Sequence, residues 1–349
     1  MEIDFENPRT DLAIEARDLA YTRMGTREIP GVISEEEETE HTAVTRVRIL
    51  NEQGERAMGK LRGNYVTIES QELRSQSRDI QQEIAQVFAR ELNRLANIPP
   101  DATVMCCGLG NWQATPDALG PRVIEKLLVT RHLYGMTPKE LRGGMRPVCA
   151  IAPGVLGITG METGEVIRGI VNTIRPNVVI VIDALAARST SRVGTTIQMG
   201  DTGIQPGSGV GNKRLGITHE SLGVPVIAIG IPTVVDAITI VSDAMDLLAE
   251  IQPGAPRADY VYGQTPAAMG SRVGPAGGPQ QSPGMIQSVT PDQKKHLMRQ
   301  LLQPYMGALM VTPKEIDDII EEIARVVASG LNAALHPQMD WDRVLEYLS

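Results

Sequence analysis

The sequence predicts an α/β protein with a mainly parallel, twisted sheet, helices on both faces of that sheet, and an N-terminal antiparallel hairpin or meander. Continuous apolar runs such as residues 102–107 and 178–183 alternate with amphipathic helical patterns, which is typical of strands buried on both faces. Residues 43–50 instead alternate apolar and polar side chains ahead of a turn signal at residues 51–54, as an antiparallel strand does. Parallel sheets of this kind bind ligands beyond the carboxyl ends of their strands.

The predicted elements follow in order along the chain. The first 40 residues have little apolar periodicity and end in an acidic run, so we expect an extension ahead of the fold. Residues 56–69 supply further extended sequence, and apolar residues spaced by three and four over 79–96 predict an amphipathic helix. Strands and helices then alternate, and we predict strand 102–107, helix 117–130, strand 147–152, helix 162–174, strand 178–183, strand 224–230 and helix 233–250.

The C-terminal part of the chain changes character. Residues 253–291 are dominated by proline and glycine, which predicts a flexible insertion or linker. A helical pattern returns over 313–335, and a shorter helix closes the chain. We therefore expect an extension over residues 1–40 and one α/β domain over 41–349 that carries the insertion. With 349 residues, of which 42% are apolar, the chain can build a sizeable core.

Composition excludes several classes of protein. A formal net charge of −9 lacks the basic footprint of a nucleic-acid binder and suits a basic protein substrate better. No segment approaches the roughly 18 apolar residues of a membrane span, and the N-terminus has no signal-peptide core, so we expect a cytoplasmic protein without a membrane partner. The cysteines, Cys106, Cys107 and Cys149, have neither metal-ligand spacing nor a disulfide framework and are expected to be core residues.

Two carboxylates stand where a parallel sheet would bind its ligand. Asp117 begins the helix after the loop at residues 108–111, and Asp183 ends the strand 178–183. Paired carboxylates can activate water when one is an ionised base and the other a protonated acid. The sequence shows no Gly-x-Ser-x-Gly elbow and no zinc-ligand spacing, so this pair is the simplest hydrolytic chemistry available.

Both carboxylates also have a purely structural interpretation. Thr115 as N-cap and Pro116 as the first helical residue make Asp117 an ordinary helix-start acid near the positive end of the dipole. Asp183 can be explained by an ion pair with Arg188 or Arg192. The sequence leaves these alternatives open.

Other motifs are weaker. The loop at residues 108–111 imitates a dinucleotide fingerprint but lacks its third glycine, and residues 207–214 imitate a phosphate loop but lack its Lys-Ser/Thr ending. Residues 201–203 read Asp-Thr-Gly, which we interpret as coincidence, with Asp201 only a third-choice acid. The long Gly-, Ser- and Thr-rich stretch 188–216 is expected to border the site.

Four segments carry a resemblance to a known family. They are RTDLAIEARD at 9–18, CGLGNWQATPDALGP at 107–121, VIDALAARSTSRVGTTIQ at 181–198, and GSGVGNKR followed by LGVPVIAIGIPTVVDA at 222–237. Together, and in this order through most of the chain, they resemble the germination protease family of spore-forming bacteria. The resemblance implies a fold related to the hydrogenase maturation endopeptidases.

The resemblance also implies an activity. Family members are aspartic-type endopeptidases that degrade the small acid-soluble proteins coating DNA, in the forespore and spore core, and their two proposed catalytic aspartates match Asp117 and Asp183. A homotetramer is implied, with no direct nucleic-acid contact, and we expect neither a cofactor nor a metal. Gly108, Gly110 and Asn111 are expected to line one wall of the site, since glycines permit close approach of an extended peptide, and Arg188 to tune Asp183.

Self-processing is a further implication. Family members are made as zymogens that remove their own N-terminal segment, and their substrates are cut within a Thr-Glu-Ile/Phe-Ala motif. Residues 10–13, Thr-Asp-Leu-Ala, imitate that motif, so we predict cleavage between Asp11 and Leu12, which makes part of the 1–40 extension a propeptide. Two rivals remain: a metal-dependent maturation-type peptidase with Asp117, Asp183 and His219 around an ion, and a nucleotide-binding regulator that uses the glycine-rich loops.

Overall fold

The fold is seen in a computed structural model that describes residues 11–136, 145–205, 215–237, 239–241, 244 and 309–337. The strands in this part of the chain are β1 (Val32–Glu38), β2 (Ala43–Ile49), β3 (Gly63–Glu69), β4 (Val104–Gly108), β5 (Val148–Ile151), β6 (Val178–Ala187), β7 (Thr196–Gly200), β8 (Val226–Asp236) and β9 (Met310–Val311). They form one sheet in the order β1-β2-β3-β7-β8-β6-β4-β5, and β9 pairs with β8.

The sheet has a parallel half and an antiparallel half. Strands β8, β6, β4 and β5 run parallel, with apolar residues on both faces of β4 and β6. Strands β1, β2, β3 and β7 pair antiparallel, and β7 joins the two halves by pairing antiparallel with β8. The predicted α/β class, with a parallel core and an N-terminal antiparallel meander, is confirmed.

Helices cover both faces of the sheet. They are α1 (Ala13–Met24), α2 (Glu52–Met58), α3 (Arg78–Ala96), α4 (Leu119–Glu125), α5 (Arg131–Tyr134), α6 (Leu156–Thr159), α7 (Thr163–Ile174), α8 (His219–Leu222) and α9 (Ile316–Leu335), with short 3-10 helices at Gln71–Arg74, Thr115–Asp117 and Thr190–Arg192. On one face Ile180 and Ile182 of β6 pack against α3, α4 and α9. On the other face Val179 and Val181 pack against α7 and α8, while α1 and α2 cover the antiparallel half.

Two compact units divide the chain. The sheet belongs to a unit formed by Met1–Val235 and Met310–Ser349, and a second unit spans Asp236–Leu309. The Gly/Pro-rich segment 253–291, the closing helix and most of the predicted helix 233–250 lie outside the described residues. Within the described part of the chain, none of the helices has both the length and the apolar composition that crossing a bilayer requires.

Several predicted elements need correction at their boundaries. Strands β6 and β8 continue to Ala187 and Asp236, so residues 233–236 are strand and Asp183 lies inside its strand. The predicted helix 117–130 is a 3-10 turn followed by α4, which ends at Glu125. It stops early because Leu128 N donates to Asn332 Oδ1 of α9 at 2.9 Å and Thr130 N donates to Val148 O at 2.9 Å, which draws the chain into the sheet.

Helices α1 and α2 and strands β1 and β7 were not expected. Residues 52–58, predicted as turn and extended chain, form α2 because Asn51 Oδ1 caps it by accepting from Gly54 N at 3.0 Å. The expected N-terminal extension contains α1 and β1, and its acidic run pairs with β2. The expected lip 188–216 contains β7, whose neighbours β3 and β8 are distant in sequence.

Candidate active site

Asp183 belongs to a row of residues that crosses three strands. It pairs with Gly230 on β8, which in turn pairs with Gln198 on β7. Paired residues project to the same face, and neighbouring strands lie about 4.8 Å apart, so Asp183 and Gln198 rise on either side of a position without a side chain. A Cβ atom at Gly230 would lie 2.3 Å from Leu185 Cδ1. The Leu185 side chain therefore fills the space above Gly230, between the two polar side chains.

The surroundings of Asp183 combine burial with hydrogen bonding. The residue is only 8% exposed, and its Oδ1 accepts from Ala184 N at 2.9 Å. Arg192, one of the two arginines considered as its partner, forms ion pairs with Asp18 at 3.2 Å and Glu69 at 3.7 Å. Arg188 donates its backbone N–H to the Glu15 carboxylate at 3.1 Å. These contacts tie both arginines to residues around α1.

A tight loop over residues 109–117 folds back so that Asp117 lies near the carboxyl end of β4. Leu109 N donates to Ile182 O at 2.8 Å, which carries the β4–β6 pairing up to the residue before Asp183. Asn111 N then donates to Asp117 Oδ2 at 2.9 Å and to Asp117 O at 3.1 Å. The 3-10 helix that ends at Asp117 contacts β6. Asp117 thus stands beyond the carboxyl end of β4, and Asp183 stands inside the neighbouring strand β6, one residue past the last β4–β6 pair.

The glycines of the 108–111 loop are needed for packing within this loop. Gly110 has a φ of 118°, and a Cβ there would lie 1.9 Å from Asp117 O. A Cβ at Gly108 would lie 2.3 Å from Gly120 O. Asn111 Oδ1 accepts from Gln113 N at 2.9 Å. The space beside both glycines is thus filled by the chain itself, which fixes the position of Asp117.

The segment of the predicted cleavage lies on the face of the sheet that carries Asp183. Leu12 is fully buried and packs, together with Ile14, against Leu185. Leu185 follows Asp183 by two residues on β6, ahead of the β-bulge at Leu185/Ala186, so both side chains project to one face. Asp11 Oδ2 accepts from Ala186 N at 3.3 Å. Residues 11–14 therefore lie along the end of the strand that carries Asp183.

Two residues of this region were missed by sequence analysis. Lys60 Nζ donates to Asp11 O at 2.8 Å, and Gln198 Nε2 donates to the same oxygen at 2.9 Å. Burial lowers the pKa of Lys60, and the carboxylates of Asp11 and Glu15 oppose that lowering. Lys60 sits in no recognisable motif. Gln198 ends the segment 181–198 that carries the family resemblance, but only the insertion of β7 beside β8 brings it into the row of Asp183.

The remaining candidates lie elsewhere. Asp201 accepts from Asn64 N at 2.8 Å and from Asn64 Nδ2 at 2.6 Å, so it links β3 to the end of β7 as a structural acid. His219 begins α8 after the Thr218 cap. No three His, Cys, Asp or Glu residues among the described ones are grouped to hold a metal ion, so Asp117, Asp183 and His219 do not form such a cluster. The phosphate-loop imitation at 207–214 is outside the described residues.

The cysteines behave as core residues. Cys106 and Cys107 are buried in β4, and burial raises the pKa of both thiols, which keeps them protonated. Cys149 on β5 is half-buried and unpaired by any disulfide. None of the three lies in the row of Asp183.

Comparison with known proteins gives a consistent family assignment. A family model described as germination protease matches residues 13–254 and 262–348. The chain is 46% identical to the germination protease of Clostridium perfringens over 344 residues, covering 98% of this chain and 99% of that protein. It is 45% identical to the germination protease of Priestia megaterium over 357 residues, covering 97% and 96%.

One solved structure also matches in part. It is the crystal structure of a NiFe hydrogenase maturation protease, HycI, from Thermococcus kodakarensis KOD1. The match has 20% sequence identity and a TM-score of 0.25, and it covers 38% of this chain and 74% of that chain.

Proposed function

This chain belongs to the germination protease family and is an endopeptidase, and on that premise we propose that it initiates the degradation of small acid-soluble, DNA-coating spore proteins during germination. The proposed place of action is the forespore and spore core, and the proposed assembly is a homotetramer. The observation that supports the proposal most strongly is the docking of residues 11–13, the described part of the Thr-Asp-Leu-Ala imitation at 10–13, along the end of the strand that bears Asp183.

The proposed chemistry is water activation by two carboxyl groups, Asp117 and Asp183. The ionised carboxylate accepts a proton from water as the water oxygen bonds to the carbonyl carbon of the substrate. The protonated carboxyl donates its proton to the amide nitrogen as the C–N bond breaks, which leaves a new carboxylate and a new amine. Support comes from the position of both aspartates just beyond the point where the pairing of β4 with β6 ends and from the burial of Asp183.

Self-processing between Asp11 and Leu12 is part of the proposal. The buried contacts of Leu12 and Ile14 with Leu185 support a zymogen in which the chain's own N-terminal segment covers the face of Asp183. Removal of the residues up to Asp11 would free Ala186 N, Lys60 Nζ and Gln198 Nε2 for a protein substrate, while Leu12 and Ile14 stay packed on Leu185. The backbone at Leu12 is extended, with φ −88° and ψ 130°, as a bound substrate strand is.

The test compares wild-type, Asp117→Asn and Asp183→Asn proteins on a small acid-soluble spore protein, each produced in its mature length from Leu12 so that none depends on self-processing. Each substitution keeps the shape of the side chain and removes its acid/base function, so we expect cleavage to fall by roughly two or more orders of magnitude in each. Asp201→Asn is the matched control, because Asp201 holds Asn64 and is expected to keep most of the activity. Undiminished cleavage by a folded Asp117→Asn or Asp183→Asn protein would remove that residue from the mechanism.

A further inference from the structure

The carbonyl oxygen of Asp11 is bound by two side chains that come from different parts of the fold. Lys60 Nζ lies 2.8 Å from this oxygen, and Gln198 Nε2 lies 2.9 Å from it. When a peptide bond is hydrolysed, its carbonyl oxygen becomes negative, and donors about 2.7–3.1 Å away stabilise that charge. Asp11 O belongs to the Asp11–Leu12 bond, which is the bond that the proposed function requires to be cut.

The Gln198 amide holds the backbone on both sides of this bond. Its Nε2 donates to Asp11 O, before the bond, and its Oε1 accepts from Ala13 N, after the bond. A single planar amide therefore orients the peptide across β7. Since Gln198 and Asp183 are separated only by Gly230 in the same row, the bond is held on the face of the sheet that carries Asp183.

Lys60 adds a charge to the same oxygen. The left-handed Gly59, with φ 62°, ends α2 and turns the chain so that Lys60 follows it toward Asp11. The Lys60 side chain is partly buried, and a cation in such a place interacts with a developing oxyanion more strongly than one in water. The carboxylates of Asp11 and Glu15 face the same lysine.

We propose that Lys60 and Gln198 bind and polarise the carbonyl oxygen of the peptide bond that is cut, first in the chain's own N-terminal segment and then in its protein substrates. This inference rests on the proposed function, in which Asp117 and Asp183 cut the Asp11–Leu12 bond. Lys60 and Gln198 take no proton and form no covalent bond in this role. They lower the barrier to attack by the activated water on the carbonyl carbon.

The test measures the first-order rate of self-processing of the full-length chain by intact mass. The variants are Lys60→Met and Gln198→Met, which remove the donors, and we expect each to slow cleavage at Asp11–Leu12 by roughly a hundredfold. Gln198→Glu keeps the acceptor for Ala13 N and loses the donor to Asp11 O, so it should be as slow as Gln198→Met. Lys60→Arg keeps a charged donor and should recover at least a tenth of the wild-type rate.

Matched controls lie on the opposite face of the sheet. Lys126→Met removes a lysine that pairs with Glu321, and Gln81→Met removes a buried amide that binds Glu322, so both should process at the wild-type rate. The unfolding midpoint of every variant is measured alongside the rate. A purely structural role would lower rate and midpoint together and would show no recovery with Lys60→Arg.

The outcomes separate this inference from the proposed function. Wild-type rates in folded Lys60→Met and Gln198→Met, with Asp183→Asn inactive, would overturn the carbonyl-binding role alone. A rate loss that follows the unfolding midpoint would overturn it as well. Cleavage of the wild type at another bond, or a fully active Asp183→Asn, would overturn both. Slow, folded donor variants with recovery by Lys60→Arg would support it.

Discussion

At the residue scale, Gly230 shows how a position without a side chain can shape a site. The two flanking residues, Asp183 and Gln198, are polar, and the glycine between them leaves room for the Leu185 side chain. Leu185 leans over the same position from β6. A methyl group there would therefore push against Leu185, which packs on Leu12.

Gly230→Ala is expected to impair self-processing more than it impairs folding. The new Cβ, 2.3 Å from Leu185 Cδ1, must displace this side chain from Leu12, at a cost of about 1–3 kcal/mol for overpacking. We expect the self-processing rate to fall at least tenfold while denaturant unfolding stays cooperative. Gly169→Ala is the control, since a Cβ there meets nothing within 4 Å in α7 and should stabilise that helix slightly. Equal self-processing rates in the two variants would contradict a role for Gly230 in self-processing.

The two aspartates are the candidate residues that local sequence could indicate. Asp183 follows a run of β-branched residues that predicts a buried strand. A carboxylate in such a strand needs hydrogen bonds or a charged partner, or it becomes neutral, and this holds for any fold. Lys60 and Gln198 could not be predicted in this way, because a lysine after a glycine and a glutamine in a Thr-rich segment are ordinary surface patterns. Their meeting at Asp11 O depends on tertiary structure alone.

At the element scale, α1 is held to the sheet by its first turn. The Glu15 carboxylate accepts from Arg188 N at 3.1 Å and from Ser189 N at 3.2 Å, which satisfies two backbone donors after β6 ends. Arg192 lies 3.9 Å from the same carboxylate. This contact holds the helix that follows Leu12 in place, and with it the Asp11–Leu12 bond at which we propose cleavage.

Glu15→Ala is therefore expected to loosen the N-terminal segment. Leaving the two backbone N–H groups without their acceptor costs about 1–3 kcal/mol, most of it local to α1. Hydrogen exchange should show faster exchange over 13–24 with little change in α3 or α9, and self-processing should slow. Glu28→Ala, an exposed carboxylate beyond α1, serves as the control and should change neither. Unchanged protection of α1 in the Glu15 variant would contradict this account of docking.

Elements with strong local patterns were predicted well, and those that depend on partners were not. Helix α3 was placed within a residue of its observed start because its apolar face repeats every three or four residues. Strand β7 was missed because Thr, Gln and Gly give it no local signature, and its position depends on pairing with β3 and β8. Helix α2 depends on one N-cap, Asn51. An asparagine at this place in the sequence is equally typical of a turn.

At the scale of the whole molecule, an ion network joins the antiparallel strands to the helix layer. Arg46 of β2 binds Glu91 of α3 at 2.7 Å and Glu37 of β1 at 2.6 Å, and the Glu91 side chain is 0% exposed. Burial by itself would raise the pKa of Glu91, but hydrogen bonds from Arg46 and Arg90 outweigh it and hold this pKa below the ordinary 4.5.

The sign of the resulting pH dependence follows from that lowered pKa. A carboxyl group whose pKa is lower in the folded state stabilises the fold fully above its unfolded pKa, and the stabilisation is lost as pH falls through the folded pKa. The free energy of unfolding of the wild type should therefore decline as pH falls below about 4.5.

Glu91→Gln should lower the free energy of unfolding at neutral pH by on the order of 3 kcal/mol, because Arg46 loses a buried partner. The slope of unfolding free energy against pH below the ordinary carboxyl pKa should be shallower in this variant. Glu125→Gln, which breaks an exposed pair with Arg122 at 3.2 Å, should cost less than about 1 kcal/mol. Denaturant titrations across this pH range check both, and parallel curves for wild type and Glu91→Gln would contradict the account.

The most direct test of the central claim is the self-processing of the full-length chain, followed by intact mass and N-terminal sequencing. The account predicts that the wild type yields a product beginning at Leu12 and that a folded Asp183→Asn protein yields it at least a hundredfold more slowly. A product that begins at another residue, or equal rates in the two proteins, would contradict the claim that Asp183 cuts the bond docked beside it.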